Sequence, residues 1–231
     1  AKVWRNSAAL YHHVSEFDRS VRAYGLAIGH WRELKDEKQV AECLQDLGTV
    51  HQDAGRAEDA LKVYVEALEI QRRLGGRKHE AMLLGNIAAI RQDQERYAEA
   101  LELFEQARKI DAELGNHAGD SIYLTNLGNL YGLVGQPREA ERYLRAAVKA
   151  AEANGSRVNS MIALHNLCNF LARQGRADEA LEAGYASMKI AHEIGDSRYE
   201  AQSFNTLGEV CYREGYWTQA LDAYDSALDA S

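Results

Sequence analysis

Six positions spaced forty residues apart carry Asn6, Asp46, Asn86, Asn126, Asn166 and Thr206, and in the fourth and fifth copies a second amide, Asn129 and Asn169, follows three residues later. An asparagine side chain accepts at its carbonyl oxygen and donates from its amide nitrogen. A row of them can therefore hold a peptide main chain, which offers the complementary groups at every residue, whatever side chains it bears. Asparagine is a mediocre helix former, so its recurrence inside helical patterns asks for a reason. Two reasons are open: a grip on a ligand, or bonds between neighbouring helices of the protein itself.

Other chemistry has no visible address. The sequence contains no GxxxxGK[ST], GxSxG or HExxH, and no Cys/His cluster with zinc spacing. His12 and His13 adjoin, and adjacent helical residues point to different sides, so they form no chelating pair. Glu58 and Asp59 fall in a first helical turn, and Arg72, Arg73, Arg77 and Lys78 straddle a turn near a helix C-terminus, where the helix dipole explains them without a ligand. No catalytic residue, metal or cofactor is expected, and the chain is read as a non-enzyme. Cys43, Cys168 and Cys211 are odd in number and form no CxxC pair, which points to reduced, buried thiols in a cytoplasmic protein.

The elements that must position these residues follow from composition and period. The 231 residues are 46% hydrophobic and 27% charged, as in a globular protein, and a single proline among abundant alanine, leucine and glutamate excludes an all-β fold. A net charge of -8 gives no footprint for nucleic acid or an anionic membrane. The longest uncharged stretch, 121–137, holds Ser121, Thr125, Asn126, Asn129 and Gln136 and does not read as a membrane span.

Rows of forty starting at Ala1, Ala41, Ala81, Ser121, Met161 and Ala201 align without a gap. The fourth and seventh positions are large and apolar, as in Leu44, Leu84, Leu124 and Leu47, Ile87, Leu127. The eighth (Ala8, Gly48, Ala88, Gly128, Cys168, Gly208) and twentieth (Ser20, Ala60, Ala100, Ala140, Ala180, Ala220) are small, and the twenty-fourth brings Tyr24, Tyr64, Phe104, Leu144, Gly184 and Tyr224. Spacings of three and four put these positions on one helix face, so each row is a helical hairpin whose small residues let the helices approach while the rings fill the space beside them. Gly55, Gly135, Gly175 and Gly215 mark the turn inside a hairpin, Pro137 the start of a second helix, and Gly75, Gly115, Gly155 and Gly195 its end.

The sequence Asn126-Leu127-Gly128-Asn129-Leu130-Tyr131, with the small and aromatic positions that follow it, resembles the W-x2-L-G-x2-Y, A-x3-F pattern of the tetratricopeptide repeat. The family's usual period is about 34, so each arm here is nearly a turn longer. Such forty-residue units look like those of kinesin light chain, of the spindle-orientation adaptor called Pins or LGN, and of sensor domains in bacterial signal-transducing ATPases. The proline that normally ends the second helix is missing, which fits a longer helix. The resemblance implies an all-α, right-handed superhelical solenoid of six hairpins, a single domain over 1–231 with repeats at 1–40, 41–80, 81–120, 121–160, 161–200 and 201–231. Block 1, with Ser7, Ser15 and Ser20, drifts as an end repeat does. The last block stops inside its second helix, which suggests a segment of a longer protein.

In this family the first helix of each hairpin lines the concave groove. That places the asparagine column there, with Lys2 and Arg5 at one end, then Glu42, Asp46, Asp53 and Asp93, then Met82, Ile122, Ile162 and Leu133, then Arg173 and Arg213. Rungs about 10 Å apart would meet roughly every third residue of an extended peptide. A ligand with basic residues before apolar ones is expected. The leading reading is a scaffold that binds a protein or peptide. The alternative is a ligand-sensing or autoinhibitory module that clasps another domain of its own full-length chain, which the abrupt end favours.

Overall fold

In the computed structural model, which describes residues 1–230 and only the backbone of His117 and Ala118, the chain forms twelve α-helices and no strand among the described residues. Ser231, the last residue of the sixth repeat, lies outside them. The helices pair as α1 (Lys2–His13) with α2 (Phe17–Glu33), α3 (Glu37–Asp53) with α4 (Ala57–Leu74), α5 (Arg77–Asp93) with α6 (Tyr97–Glu113), α7 (His117–Leu133) with α8 (Pro137–Ala153), α9 (Arg157–Arg173) with α10 (Ala177–Ile194), and α11 (Ser197–Arg213) with α12 (Trp217–Ala230). From the second hairpin on, each first helix begins four residues before its forty-residue row, because the tight link between hairpins sits at positions 34–36 of the row. Two compact units result, Ala1–Ile110 and Asp111–Ser231, the division falling inside α6.

Turn chemistry sets the helix ends. Gly55 takes φ +72°, and the amides of Gly55 and Arg56 return to the carbonyls of Gln52 and His51, which satisfies the last orphan acceptors of α3. Asp36, Ser156 and Asp196 cap α3, α9 and α11 by accepting from the backbone N–H of Gln39, Asn159 and Tyr199. Where the glycine pattern lapses, Ser15, Lys35 and Glu95 adopt left-handed φ of 58°, 56° and 59°. All three lie in the first unit.

Packing within a hairpin depends on the small eighth position meeting the large twenty-fourth. A Cβ on Gly48 would stand 2.3 Å from a ring carbon of Tyr64, and one on Gly128 would stand 2.6 Å from Leu144. The fifth hairpin inverts the arrangement: Cys168 is the larger partner, and Gly184 leaves room for it and for Leu207. The fifth seam is thus built from two smaller residues, and Leu207 of the next hairpin fills the space that a ring occupies elsewhere. Ser20 and Ser187 are fully buried, and each satisfies its hydroxyl by donating to a carbonyl of the first helix of its hairpin, Ala8 and Met161.

Candidate functional site

First helices of successive hairpins lie side by side, α1 against α3 in the first unit, α7 against α9 and α9 against α11 in the second. Their shared face carries the asparagine column, and the two units furnish it differently.

In the first unit the face is tied by charge. The Arg5 guanidinium on α1 donates to Asp46 Oδ2 (3.0 and 3.1 Å) and to Glu42 Oε2 (2.7 Å) on α3, and His12 Nε2 lies 2.7 Å from Asp53 Oδ2. The carboxylates hold the Arg5 pKa above its ordinary value against the desolvation that would lower it. Tyr64 Oη contacts Thr49 Oγ1 and Gln52 Oε1, each at 3.3 Å, and also hydrogen-bonds Asn86, while burial raises its own pKa. Thus Asp46, Asp53 and Asn86 are engaged by neighbouring groups. Asn6 and Asp93 are exposed, and no side-chain partner stands beside them among the described residues.

In the second unit the face is tied by amides. Asn129 Nδ2 donates to Asn166 Oδ1 (2.9 Å), and Asn166 Nδ2 donates to the Ile162 carbonyl one turn back (2.8 Å). Asn169 lies 3.0 Å from His165 Nε2 through its amide nitrogen, and its carbonyl is 3.3 Å from Thr206 Oγ1, whose single proton is shared with the Gln202 carbonyl at 3.1 Å. Burial pushes the His165 pKa below its ordinary value, so the neutral imidazole is favoured and its Nε2 accepts that bond. These contacts link α7 to α9 and α9 to α11. Part of the column therefore bonds neighbouring helices, as one of the two sequence readings had it. Each amide nitrogen bears two N–H groups, however, so Asn129, Asn166 and Asn169 each retain one, and the Asn129 carbonyl is unused. Asn126 makes no side-chain hydrogen bond among the described residues.

Two hollows open on this face. The larger, about 550 Å³, is bordered by Asn129, Asn166, Asn169, Arg173 and Gln174, with Leu144 and Phe170 beneath. The smaller, about 180 Å³, lies between Ile122 and Ile162 beside Thr125 and Asn126. Arg173 is exposed and has no ion-pair partner among the described residues, whereas Arg213 is paired with Glu209 of its own helix. The structure thus brings Asn126, Asn129, Asn166, Asn169 and Arg173 to one face. Sequence reasoning missed Phe170, Gln174, His165 and the hollow itself. The available signal was a missing side chain: Gly132 and Ala172 stand where the other rows have His12, Gln52, Gln92 and Tyr212.

A crevice of about 600 Å³ in the first unit, between α2, α3 and α4, is larger but self-satisfied, because Arg32 pairs with Glu66 and Arg73 with Glu37 across it. The basic cluster at the α4–α5 turn is likewise absorbed, Arg72 and Arg77 both bonding Glu80. All three cysteines are free and buried, and desolvation raises Cys43 to about 11 and Cys168 to about 12, which keeps them protonated at neutral pH. Among the described residues no group of three or more His, Cys, Asp or Glu is placed to hold a metal, and no helix is long and apolar enough to cross a membrane.

Comparison with curated proteins gives no match. Among solved structures, BtubC (BKLC) from P. vanneervenii superposes with a TM-score of 0.81 at 20% identity, over 93% of this chain and 90% of that one. A Rap protein complexed with competence and sporulation factor gives 0.76 at 17%, over 98% and 73%. A signal-transduction ATPase with numerous domains and a tetratricopeptide repeat sensor, from Pyrococcus horikoshii, gives 0.77 at 15%, over 98% of this chain and 37% of the ATPase. These likenesses are of fold. Family models described as tetratricopeptide repeat match residues 1–73, 79–153 and 159–231, and a second such model matches 125–191. With the hairpins, their small-to-large seams and the Leu127-Gly128 signature, this shows that the chain belongs to the tetratricopeptide-repeat family.

Proposed function

We propose that the chain is a non-catalytic interaction module that binds an extended peptide segment across the first helices of its second unit, in a reducing, cytoplasmic setting. Asn126, Asn129, Asn166 and Asn169 hold the main chain of that segment. The observation that carries the reading is the set of unused amide groups beside two hollows on one face. Such groups donate to and accept from a peptide backbone without regard to its sequence. Asp46, Asp53, Asn86 and Arg213 contribute less, since their partners within the protein compete with a ligand. Asn6 and Asp93 stay available on the first unit. The likeness to a Rap protein complexed with a factor, and to an ATPase with a repeat sensor, supports recognition as the task and agrees with service inside a larger regulator.

The test uses peptides selected from a random display library on the whole chain. Asn126→Ala and Asn129→Ala remove hydrogen bonds worth about 0.5–1.5 kcal/mol net each, so the double variant should bind roughly tenfold or more weakly; Asn126→Ala alone should melt as the wild type does, while Asn129→Ala also gives up its bond to Asn166 and should cost about 0.5–1 kcal/mol of stability. Asn166→Ala should also lower stability by about 1 kcal/mol, because it loses its bonds to Asn129 and Ile162. Peptides that bind the double variant as tightly as the wild type would place the site elsewhere.

A further inference from the structure

Inside each unit the second helix of one hairpin lies against the first helix of the next: α2 against α3, α4 against α5, α8 against α9 and α10 against α11. Burial identifies the residues of this joint, because the positions it covers are exposed where a hairpin has no neighbour on that side. On a first helix they are the third and tenth positions of the repeat, Cys43 and Val50 of α3 and Leu83 and Ile90 of α5, all buried. On a second helix they are the twenty-first and twenty-eighth, Leu61 and Leu68 of α4, buried as well. The equivalent residues of α1, Val3 and Leu10, are 75% and 64% exposed, and those of α12, Leu221 and Leu228, are 61% and 74% exposed. A hairpin that faces water on one side of such an array ordinarily turns a polar surface to it. Here α1 and α12 each keep one apolar half of an interior joint.

The charges around the two halves are complementary. The helix α12 carries Asp222, Asp225 and Asp229 and no lysine or arginine, whereas α1 carries Lys2 and Arg5 and no acid. Within the second unit Arg145, at the twenty-fifth position of its repeat, pairs at 2.7 Å with Glu179, at the nineteenth position of the next. The same offset carried from the last repeat to the first sets Asp225 against Arg19, which is that pair with its signs exchanged. Arg19 is exposed and held loosely, 3.8 Å from Glu16.

We infer that the chain associates with a second copy of itself, the α12 face of one copy packing on the α1 face of the next as consecutive hairpins pack inside a unit. The contact is heterologous, since it joins two different surfaces. Each added copy therefore presents a fresh α1 or α12 face, and assembly continues beyond two. Asn126 and Asn129 lie on α7, outside both faces, so self-association leaves them available.

Sedimentation velocity on the whole chain from about 1 µM to about 1 mM tests this. The wild type should pass from monomer to dimer and to larger species as concentration rises. Val3→Glu with Leu10→Glu should hold the protein monomeric, and so should Leu221→Glu with Leu228→Glu. All four side chains are exposed, so both double variants should melt as the wild type does. Mixed together, the two blocked proteins retain one intact α12 face and one intact α1 face, and they should form a one-to-one dimer that grows no further. Asp225→Arg should weaken association about tenfold, and adding Arg19→Asp to the same chain should restore it. A monomer at every concentration would assign the two faces to further hairpins or to other partners and overturn the inference. A mixture of the blocked proteins that stays monomeric, or an Asp225→Arg, Arg19→Asp protein that associates no better than Asp225→Arg alone, would overturn it as well.

Discussion

The first helices of the two units present equivalent positions and use them in opposite ways. In residues 1–110 the link between neighbouring hairpins is ionic, Arg5 of α1 being held by Glu42 and Asp46 of α3. In residues 111–231 it is an amide pair, Asn129 to Asn166, repeated one hairpin later as Thr206 to Asn169. A guanidinium closed on two carboxylates has occupied the oxygens that would attract a ligand and offset half of their charge. An amide bonded to an amide has used half of its capacity, and the other half faces whatever arrives. One scaffold thus either locks its face or leaves it competent, according to the residue types at two positions.

The largest effects should come from the seams, which both units share and the face does not. Gly48→Leu drives a side chain into the Tyr64 ring, and Ala100→Leu forces the fully buried twentieth position apart. Each should cost about 1–3 kcal/mol and lower the melting temperature clearly. Gly132→Ala, on the same helix as Gly128 but over the hollow, should be neutral or stabilising by up to about 1 kcal/mol, because alanine is the better helix former. If Gly132→Ala destabilised as strongly as the seam variants, the hollow would be a packed contact.

Two arginines break the comparison more finely. Arg5→Met leaves Glu42 and Asp46 facing each other without their counter-charge, and should cost about 0.5–1 kcal/mol and speed amide exchange in α1. The loss should shrink at high salt, since these side chains are only partly buried. Arg173→Met removes no internal partner and should leave the melting curve in place. Equal losses from the two substitutions would mean that Arg173 has a structural partner after all.

The architecture was legible in the sequence because it rests on period and size. Glycines at a fixed offset in most copies, the small eighth and twentieth positions, and a large twenty-fourth in all but the fifth copy specify the hairpins. The binding face was legible only as a column. Nothing in the spelling of Asn129 and Asn166 says that they meet across α7 and α9, because that bond depends on how two helices stack. Asp46 and Asp53 looked like ligand contacts for the same reason: their partners, Arg5 and His12, lie about one repeat away in sequence. The hollow was hardest to see, since Gly132 contributes by what it lacks.

The smallest expected effect lies in the turns, where the units again differ. Lys35 takes φ 56° at the link between the first two hairpins, while the next link of the same unit has Gly75 at φ 70° and the second unit has Gly115, Gly155 and Gly195 at 66° to 73°, so the strained link is found in the first unit alone. For a residue with a Cβ the left-handed region costs about 1–2 kcal/mol, partly offset by the greater chain entropy that glycine loses on folding, about 0.5–1 kcal/mol. Lys35→Gly should therefore stabilise the first unit by about 0.5–1 kcal/mol in denaturant unfolding. Gly155→Lys should destabilise the second by a similar amount, and through the backbone alone, because a Cβ at Gly155 meets no atom within 4 Å. Making both changes transfers the strained turn from the locked unit to the open one, and the two effects should nearly cancel if the two turns act independently. If Lys35→Gly gave no gain while Gly155→Lys cost its full amount, the first unit would be relieving its strain elsewhere, and the turn would not mark a difference between the two.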